Sequence, residues 1–376
     1  MIRAAVLAGA TGAAWVSKDQ PGTTSRSAAP VSGFRFRGAD ISFTLQEEAI
    51  GTAVRDAAGV RPIERLLARR GANTVRLRVW VDPLPGTSGL AETLVMARRA
   101  HDAGLSIILS LHYSDTWADG KSQPIPKAWR GLDDAALLRT VENYTRKVVG
   151  ALVKQGTPAH VVQIGNEISR GMLWPAGQVY RSDGEHWSLF AKLLKAGVKG
   201  AKTASPDHPP LIMIHTETGG DKDASKYFFD RLVARRVPFD IIGLTYYPFW
   251  NGPLTNLETT LHQLVARYGR DVMVAETAYP WTLAQAGEQQ NVVRRAEDLP
   301  EAGLYPPTPA GQAAYFERLR RVLQQVPGGR CAGFLVWEPG WTPGVRATPE
   351  MGNAHANLGL FDWTGQGHPA LKVFRA

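Results

Sequence analysis

The stretch Val161-Val162-Gln163-Ile164-Gly165-Asn166-Glu167 is an apolar run that ends in an Asn-Glu pair. Helical periodicity precedes it over residues 133–154 and returns after it over residues 185–203. A short apolar run between two such segments predicts a buried strand of a parallel sheet, because helices join parallel strands. The polar side chains at its carboxyl end are then candidates for chemistry.

The same alternation extends outward from this stretch in both directions. We predict eight strands, over residues 34–41, 74–81, 106–112, 161–165, 211–215, 240–246, 272–276 and 332–337. We predict seven helices, over residues 62–70, 90–103, 133–154, 185–203, 224–236, 254–268 and 309–325. Eight strands joined by right-handed crossovers close into a (β/α)8 TIM barrel, an α/β fold of one domain. An open doubly wound sheet is the alternative, but residues 38–42 (GADIS) lack the glycine-rich loop that usually follows its first strand.

The composition is that of a globular protein with a large core. Of 376 residues, 44% are hydrophobic and 20% are charged, which excludes wholesale disorder. No apolar run approaches the roughly 18 residues needed to span a bilayer. The single cysteine, Cys331, excludes an internal disulfide framework and a cysteine-cage metal site. The net charge of +9 comes from scattered Lys and Arg residues, so we expect no nucleic-acid or membrane partner.

The N-terminal residues differ from the rest of the chain. A short positive start, residues 1–3, precedes a small and moderately apolar stretch over residues 4–16, which is typical of a weak secretory signal. Residues 20–32 are rich in Pro, Gly, Ser and Thr and predict a linker. We therefore expect a signal-like and linker segment over residues 1–33, a catalytic barrel over residues 34–376, and a secreted or periplasmic protein. A disordered extension or a start site placed too far upstream is the alternative.

Polar groups at the carboxyl ends of the predicted strands are the candidates for an active site, because barrel enzymes place theirs there. These ends carry Asp40, Asp82, His112, Asp115, Glu167, His215, Glu217, Tyr246, Glu276 and Glu338. The set is rich in acids and contains neither a Ser-His-Asp arrangement nor a metal-spaced histidine pair. One charged residue at a strand end is usually a solvated turn residue, whereas several on one rim indicate a site.

Tryptophans gather at the same predicted rim. Seven of the eleven lie at or shortly after a strand end: Trp80, Trp117, Trp174, Trp250, Trp281, Trp337 and Trp341. Flat indole rings beside polar groups suit sugars, which stack through their C–H faces and need directional hydrogen bonds for their hydroxyls. The alternative is that each ring packs a loop onto the barrel.

Two predicted strands end in glutamates that can act together. The fourth ends in Asn166-Glu167, and the seventh, Val272-Met273-Val274-Ala275-Glu276, ends in a glutamate. Two carboxyl groups facing one cavity are what glycosidic cleavage needs. One donates a proton to the leaving oxygen, and the other attacks the anomeric carbon or activates water. A separation of roughly 5–5.5 Å would imply the nucleophilic, retaining route.

The chain resembles the endo-β-1,4-galactanases of glycoside hydrolase family 53, within the clan of retaining (β/α)8-barrel glycosidases. The matching motifs run in family order from about residue 34 to the C-terminus: GADIS (38–42), VRLRVWV (75–81), LHYSDTWAD (111–119), IGNE (164–167), GMLWP (171–175), IMIH (212–215), TYYPF (245–249), VAET (274–277) and WEPGW (337–341). The Asn-Glu pair alone is weakly specific, whereas the SDTWAD and TYYPF segments together are highly specific.

The resemblance implies that Glu167 is the acid/base and Glu276 is the nucleophile. Because Glu276 must be ionised, it needs a cation nearby, and Arg76 is the expected partner with Arg78 as second choice. An ion pair inside the barrel is the structural alternative for both arginines. We expect Tyr246 to donate a hydrogen bond to Glu276 and orient it.

Other strand-end residues are expected to hold the sugar. Asn166 would bind the sugar 2-hydroxyl, a contact that strengthens as the ring flattens. Trp117 and Trp337 are the expected stacking platforms. Further support is expected from Asp40, His112, Asp115 and His215. For each, a hydrogen-bonded structural residue of the barrel is the alternative.

The loop after the seventh strand departs from the family pattern. Some bacterial relatives carry calcium there in an Asp-x-Asp-x-His-x-Asn run, but the corresponding residues 285–291 here are QAGEQQN, and only the Asn remains. Gln and Gly cannot supply the anionic oxygens that calcium favours. We therefore expect no metal in this loop and no cofactor.

The predicted function is endo-acting, retaining cleavage of β-1,4-galactan in the arabinogalactan side chains of pectin, by a monomer whose partner is the polysaccharide. Another β-1,4-glycanase of the same clan, such as a mannanase, is the nearest alternative. A barrel that binds carbohydrate without cleaving it is a further one, although a binder needs neither glutamate. Nucleic-acid binding rests on the positive charge alone.

Overall fold

The computed structural model describes residues 33–376. In this part of the chain eight parallel strands form a closed barrel, in which each strand pairs with the next along the sequence and the last pairs with the first. The strands are β1 (Phe36–Asp40), β2 (Thr74–Val79), β3 (Ser106–Leu111), β4 (Val161–Ile164), β5 (Leu211–Thr216), β6 (Ile241–Thr245), β7 (Asp271–Thr277) and β8 (Cys331–Val336). The predicted (β/α)8 barrel is confirmed, and every predicted strand is present within about two residues at each end.

Helices separate the strands. They are α1 (Thr44–Ala49), α2 (Ile63–Arg69), α3 (Leu90–Asp102), α4 (Asp134–Gln155), α5 (Trp187–Ala204), α6 (Lys222–Ala234), α7 (Pro248–Asn251), α8 (Leu254–Tyr268) and α9 (Pro309–Gln324). The seven predicted helices are all present. The sequence did not predict α1 and α7, because helices of one or two turns are too short to show a hydrophobic period.

Short 3₁₀ helices and β-hairpins lie in the loops. Single-turn 3₁₀ helices lie at Lys127–Trp129, Ala296–Asp298 and Pro327–Gly329, and a longer one lies at Pro369–Phe374. Three hairpins pair Arg55–Asp56 with Gly59–Val60, Gly171–Met172 with Gly177–Gln178, and Tyr180–Arg181 with Gly184–Glu185. The last two hairpins lie between β4 and α5, on the loop that contains Glu167.

The inside of the barrel has an apolar layer and a polar layer. The apolar layer is one buried cluster: Phe36, Ile108, Val161, Met213, Ile241, Met273, Ala275, Ala332 and Leu335. Two residues further along several of these strands the side chains are polar: Ser110 follows Ile108, Gln163 follows Val161, and His215 follows Met213. Because strand side chains alternate between faces, this spacing of two keeps both layers inside the barrel. The polar layer lies toward the carboxyl ends of the strands.

Glu276 joins the polar layer through an irregularity in β7. Met273 and Ala275 both belong to the apolar layer, so a regular strand would turn Glu276 outward. The pairing of β7 shifts register against β6 between Leu244 and Thr245, and against β8 between Val274 and Thr277. Such bulges are common beside active sites, where they re-aim a side chain. Here the irregularity turns the Glu276 carboxylate into the barrel.

The C-terminal 3₁₀ helix, Pro369–Phe374, packs against the start of the barrel. The carbonyl oxygen of Phe374 accepts a hydrogen bond of 2.9 Å from Arg37 Nε, and so does that of Gly71. Gly71 has a φ of 101°, and a Cβ there would lie 2.5 Å from the Phe374 oxygen. Only glycine combines this backbone conformation with this close approach.

None of the helices within residues 33–376 combines the length and the apolar character needed to cross a bilayer. The predicted signal-like and linker segment lies outside the described residues, apart from Gly33. That segment, and with it the predicted domain boundary, stays a prediction.

Candidate active site

Two glutamates occupy one cavity at the carboxyl ends of the strands. Glu276 lies near the end of β7, and Glu167 lies three residues beyond the end of β4. A carboxylate oxygen of each and a ring nitrogen of His215 all lie within 4.8 Å of one another. Glu167 has a φ of 49°, a left-handed conformation that is uncommon outside glycine and is often found at functional sites. The two carboxyl groups therefore face each other across a gap close to that of retaining glycosidases.

Glu276 is bound by a cation. Arg76 Nη1 donates to its Oε1 at 2.5 Å, and the Tyr247 hydroxyl donates to its Oε2 at 3.2 Å. Burial raises the pKa of Glu276, and the charge and hydrogen bonds of Arg76 oppose that rise. The buried arginine needs a negative partner as much as the carboxylate needs a positive one. We infer that Glu276 is ionised, with Arg76 as the partner that the sequence predicted.

Glu167 is in the opposite electrostatic environment. It forms no ion pair within the described residues, and its Oε1 lies 2.6 Å from the Thr245 hydroxyl. Burial, followed by the negative charges of Glu276 and Glu217, raises the pKa of Glu167 well above its usual range. Burial raises the pKa of both carboxyl groups, but only Glu276 has a cation that opposes the rise, so Glu167 is the better candidate to hold a proton.

Asn166 is held between the two glutamates. Its Oδ1 accepts hydrogen bonds from Arg76 Nη2 at 2.7 Å, Gln163 Nε2 at 3.0 Å and His215 Nδ1 at 3.0 Å. Its Nδ2 donates to the carbonyl of Ala118 at 2.9 Å. An amide nitrogen has two protons, so one remains for a ligand. This geometry is compatible with the predicted contact to a sugar hydroxyl.

The two predicted histidines differ. His215 is fully buried, and both of its ring nitrogens have partners, Asn166 Oδ1 at 3.0 Å and Thr245 Oγ1 at 2.9 Å. These contacts fit the structural alternative for His215, and they leave no nitrogen free to ligate a metal with the two glutamates. His112 accepts a long hydrogen bond of 3.4 Å at Nδ1 from Trp80 Nε1, and its buried Nε2 has no partner within the described residues. Among the described residues, His112 therefore has one ring nitrogen without a hydrogen-bond partner, whereas both nitrogens of His215 have one.

The predicted contact between Tyr246 and Glu276 is wrong. The Tyr246 hydroxyl donates instead to the carbonyl of Gly252 at 2.6 Å, and Tyr247 contacts Glu276. Successive residues of an extended chain point to opposite sides, so a displacement of one residue exchanges the roles of two adjacent tyrosines. Both tyrosines stood in the TYYPF motif, but the sequence did not show which one faces the barrel interior.

Arg78 does not contact Glu276. Its Nη1 donates to Glu338 Oε1 at 3.3 Å, and its Nε donates to Ser88 Oγ at 3.1 Å. Its guanidinium lies 4.4 Å from the ring centre of Trp117 and 4.7 Å from that of Phe43. Arg78 therefore follows the structural alternative and packs on the rings of Phe43 and Trp117.

The two predicted stacking platforms lie side by side. The rings of Trp117 and Trp337 are 6.3 Å apart, and the Trp117 indole donates to the carbonyl of Ala347 at 2.8 Å. Trp337 also lies 6.5 Å from Tyr247, which contacts the nucleophile candidate Glu276. His355, which the sequence did not single out, lies 5.0 Å from Trp337, and burial lowers the pKa of His355 to about 4. An aromatic wall therefore extends from Glu276 to the rim.

Two predicted acids support loops or the barrel. Asp115 accepts the backbone amide of Asp82 at 3.1 Å and that of Lys127 at 2.7 Å, and so ties two loops together. Asp40 is buried, accepts the amide of Ser42 at 3.0 Å, and has its other carboxylate oxygen 3.6 Å from Arg76. Neither set of contacts requires a ligand.

The loop over residues 285–291 is closed by one side chain. The Gln285 carboxamide donates to the carbonyl of Gly287 at 2.7 Å and to that of Gln289, and it accepts a long hydrogen bond of 3.4 Å from the Asn291 amide. Asn291 Nδ2 donates to the Ala284 carbonyl at 2.9 Å. A neutral amide thus gathers the carbonyl groups of the loop. The expectation of a metal-free loop stays a prediction.

Comparison with known proteins places this site in a family. The model of "Glycosyl hydrolase family 53" matches residues 36–374. An "Uncharacterized protein in bgaB 5'region" of Niallia circulans is 41% identical, with 90% of this chain and 93% of the relative covered. The "Probable arabinogalactan endo-beta-1,4-galactanase A" of Neosartorya fischeri is 36% identical, with 90% and 92% covered. The solved GH53 catalytic domain of Ignisphaera aggregans superposes with a TM-score of 0.84 at 33% identity, covering 92% of this chain and 98% of that one.

A closed (β/α)8 barrel with paired glutamates at its carboxyl rim is an arrangement that glycosyl hydrolases use. The family match covers almost all of the described residues. This chain belongs to glycosyl hydrolase family 53.

Proposed function

We propose that this chain is an endo-acting, retaining β-1,4-galactanase that cleaves the galactan side chains of pectin. The observation that carries the proposal is the pair Glu167 and Glu276, whose carboxyl oxygens lie within 4.8 Å in opposite electrostatic environments. The named activity of the Neosartorya fischeri relative supports the substrate.

In the first half-reaction Glu276 attacks the anomeric carbon with its carboxylate. The bond from that carbon to the leaving oxygen breaks, and Glu167 transfers its proton to that oxygen. Arg76 keeps Glu276 ionised until attack, and Tyr247 holds its second oxygen. The remaining Asn166 amide proton would bind the sugar 2-hydroxyl, where a hydrogen bond strengthens as the ring flattens.

In the second half-reaction water replaces Glu276. The glycosyl ester has removed the negative charge of Glu276, so the pKa of Glu167 falls and its carboxylate can accept a proton from water. The resulting hydroxide attacks the anomeric carbon, and the bonding electrons return to Glu276. Two inversions at one carbon retain the anomeric configuration.

A substrate panel tests the proposal most broadly. Purified protein is incubated with linear β-1,4-galactan, β-1,4-mannan and cellulose, and the early products are separated by length. We expect a mixture of galacto-oligosaccharides from galactan and little product from mannan and cellulose. The linkage through the axial 4-hydroxyl of galactose bends the polysaccharide, which therefore needs a cleft of a different shape. Preferred cleavage of mannan would favour the alternative glycanase, and binding without products would favour a non-hydrolytic barrel.

Export is part of the proposal, because a polysaccharide of plant walls cannot enter a cell. The signal-like residues 1–16 support it. N-terminal sequencing of the protein recovered from the medium or periplasm tests export, and we expect a mature chain that begins after residue 16. An intact N-terminus on protein found only in the cytoplasm would contradict it.

The net charge of +9 suggests a preference for acidic polysaccharide. Native pectin carries galacturonate, whereas purified galactan is neutral. Raising the salt concentration should therefore slow attack on native pectin and leave attack on linear galactan unchanged. Equal salt effects on both substrates would remove this part of the proposal.

A further inference from the structure

A continuous line of hydrogen bonds joins Arg76 to Glu167. It passes through Asn166 Oδ1, His215 Nδ1 and Nε2, and the Thr245 hydroxyl, with donor–acceptor distances of 2.7, 3.0, 2.9 and 2.6 Å. All five side chains come from strands of the barrel or from the residues just beyond them. The direction of each bond decides which atom holds a proton. The donor and acceptor chemistry of the five side chains fixes those directions.

The first link fixes the orientation of Asn166. An arginine only donates, so the Asn166 atom at 2.7 Å from Arg76 is the oxygen. The other end agrees, because the remaining amide atom lies 2.9 Å from the carbonyl of Ala118 and must be the nitrogen. The Asn166 oxygen carries no proton. His215 Nδ1, 3.0 Å from it, must therefore carry one and donate it.

A neighbouring amide does not change this assignment. Gln163 Nε2 lies 3.2 Å from His215 Nδ1, but it donates its two protons to the Gly165 carbonyl at 2.8 Å and to Asn166 Oδ1 at 3.0 Å. The Gly165 contact requires the nitrogen of Gln163 on that side. Gln163 therefore leaves His215 Nδ1 as a donor.

The middle link fixes the tautomer of His215. The imidazole is fully buried, and burial together with the charge of Arg76 lowers the pKa of His215 well below its usual range. A neutral imidazole has one proton, and it is on Nδ1, so Nε2 is an acceptor. The Thr245 hydroxyl, 2.9 Å away, must donate its single proton to Nε2.

The last link then has only one possible donor. Taken alone, the 2.6 Å contact between Thr245 Oγ1 and Glu167 Oε1 allows the Thr245 hydroxyl to donate to a Glu167 carboxylate, which would lower the pKa of Glu167. Because the Thr245 proton is directed to His215 Nε2 instead, the contact requires a proton on Glu167. If Thr245 instead turned to a Glu167 carboxylate, the buried Nε2 of His215 would lose its only partner among the described residues. The line of hydrogen bonds from Arg76 therefore favours the protonated form of Glu167.

We propose that Thr245 and His215 are positioning residues that hold the acid proton on Glu167 in the resting enzyme. The line of hydrogen bonds from Arg76 to Glu167 acts as a relay, and Arg76 sets its direction through Asn166. The same guanidinium binds ionised Glu276, so one arginine sets opposite protonation states on the two glutamates. Nothing in the double-displacement scheme itself requires such a relay. The proposal rests on the proposed function only in naming Glu167 as the acid.

Other charges also face Glu167, and they act in the same direction. Glu276 comes from β7, Glu217 follows β5, and Asp119 lies in the loop after β3, and all three disfavour a negative charge on Glu167. They raise its affinity for a proton but do not place the proton. The relay makes a separate prediction, which concerns the tautomer of His215.

The first experiment measures that tautomer without any substrate. The ¹⁵N spectrum of histidine-labelled protein near neutral pH should show His215 as a neutral ring protonated at Nδ1 only, with His215→Gln used to assign its signals. A ring protonated at Nε2, or at both nitrogens, would overturn the proposal. This readout does not depend on galactan cleavage, so it distinguishes failure of the relay from failure of the proposed function.

The second experiment follows the basic limb of the pH dependence of kcat/KM in Thr245→Val and Thr245→Ser. The valine variant removes the acceptor of the Glu167 proton, so the limb should move to lower pH, whereas the serine variant keeps the hydroxyl and should keep the limb in place. A shift of the basic limb of Thr245→Val to higher pH would mean that Thr245 donates to a Glu167 carboxylate. An unchanged basic limb would mean that Thr245 neither accepts a proton from Glu167 nor donates one to it. Either result overturns the proposal. If the valine variant is inactive, a ¹³C titration of its Glu167 carboxyl group measures the same shift.

Discussion

The apolar and polar layers inside the barrel lie only two residues apart along the strands, yet they serve different purposes. Met213 and Met273 belong to the apolar layer, whose side chains form one buried cluster. His215, two residues after Met213, has hydrogen bonds at both ring nitrogens, and Glu276 is bound by a buried arginine. The apolar layer stabilises the fold by removing hydrocarbon from water. The polar layer keeps several charged groups buried, which is costly unless each has a partner.

The difference predicts that the two layers respond differently to substitution. Changes in the polar layer should lower activity by orders of magnitude, whatever they cost in stability. Changes in the apolar layer should lower the free energy of unfolding and leave activity largely intact. The substitutions below test that separation.

The largest effect is expected for Glu276→Gln. The amide keeps the size of the side chain but cannot attack the anomeric carbon, so kcat/KM on galactan should fall by about 10⁴-fold or more, the order seen when a hydrolase loses its nucleophile. The measurement is initial-rate kinetics beside a circular dichroism spectrum that confirms folding. Retention of more than a tenth of the activity would show that Glu276 is not the nucleophile.

Met273→Ala tests the apolar layer in the same strand. Truncating this fully buried side chain should cost about 2–5 kcal/mol of unfolding free energy, because the cavity cannot collapse completely. Denaturant unfolding measures the loss. We expect kcat/KM at 25 °C to stay within a few-fold of the parent, and a loss as large as that of Glu276→Gln would erase the distinction between the layers.

Adjacent tyrosines provide a matched pair at the edge of the polar layer. Tyr247→Phe removes a hydrogen bond to ionised Glu276, so kcat/KM should fall by about 10- to 100-fold. The acidic limb of the pH profile should move to higher pH, because that bond lowers the pKa of Glu276. Tyr246→Phe loses only its bond to the Gly252 carbonyl and should affect stability more than rate. Equal kinetic effects of the two would contradict the assignment.

Glu217→Gln tests the electrostatics of the acid. The charge of Glu217 is one of the causes that raise the pKa of Glu167, so its removal lowers that pKa. Glu167 then loses its proton at lower pH, so the basic limb of the kcat/KM profile should move to lower pH. Glu317→Gln, an exposed change on α9, is the control and should leave the limb in place. A shift of the basic limb to higher pH, or the same shift in both variants, would contradict the account.

The loop over residues 285–291 lies outside both layers and should show the smallest effect. Gln285→Ala removes the carboxamide that gathers the loop carbonyls, and we expect a loss of about 1 kcal/mol in unfolding free energy with little change in rate. We expect a calcium chelator to leave the Tm of the parent protein unchanged, because we propose that the Gln285 carboxamide closes the loop without a cation. A chelator-induced fall in Tm would show that the loop binds metal.

The sequence predicted the architecture because its signals are local and repeated. Eight apolar runs alternate with amphipathic segments, and glycines with positive φ, such as Gly71 and Gly156, follow the ends of α2 and α4. The candidate rim followed from topology, since parallel strands bring their carboxyl ends to one side. Arg76 was named as the partner of Glu276 because charge complementarity leaves few choices.

Details that depend on register could not be read from the sequence. The bulge in β7 that turns Glu276 inward, and the exchange of Tyr246 for Tyr247, are set by pairing between strands rather than by the residues themselves. The role of Thr245 was missed because a threonine at a strand end carries no distinctive signal. His215 was expected to meet the sugar, but a histidine pattern alone does not show that both ring nitrogens already have partners.

The central claim is that Glu167 and Glu276 act across one short gap as acid/base and nucleophile. The most direct test is the anomeric configuration of the first product, followed by ¹H NMR during cleavage of a β-1,4-galacto-oligosaccharide before mutarotation. The account predicts that the newly formed reducing end appears as the β-anomer. Initial appearance of the α-anomer would mean a single displacement by water and would contradict the account.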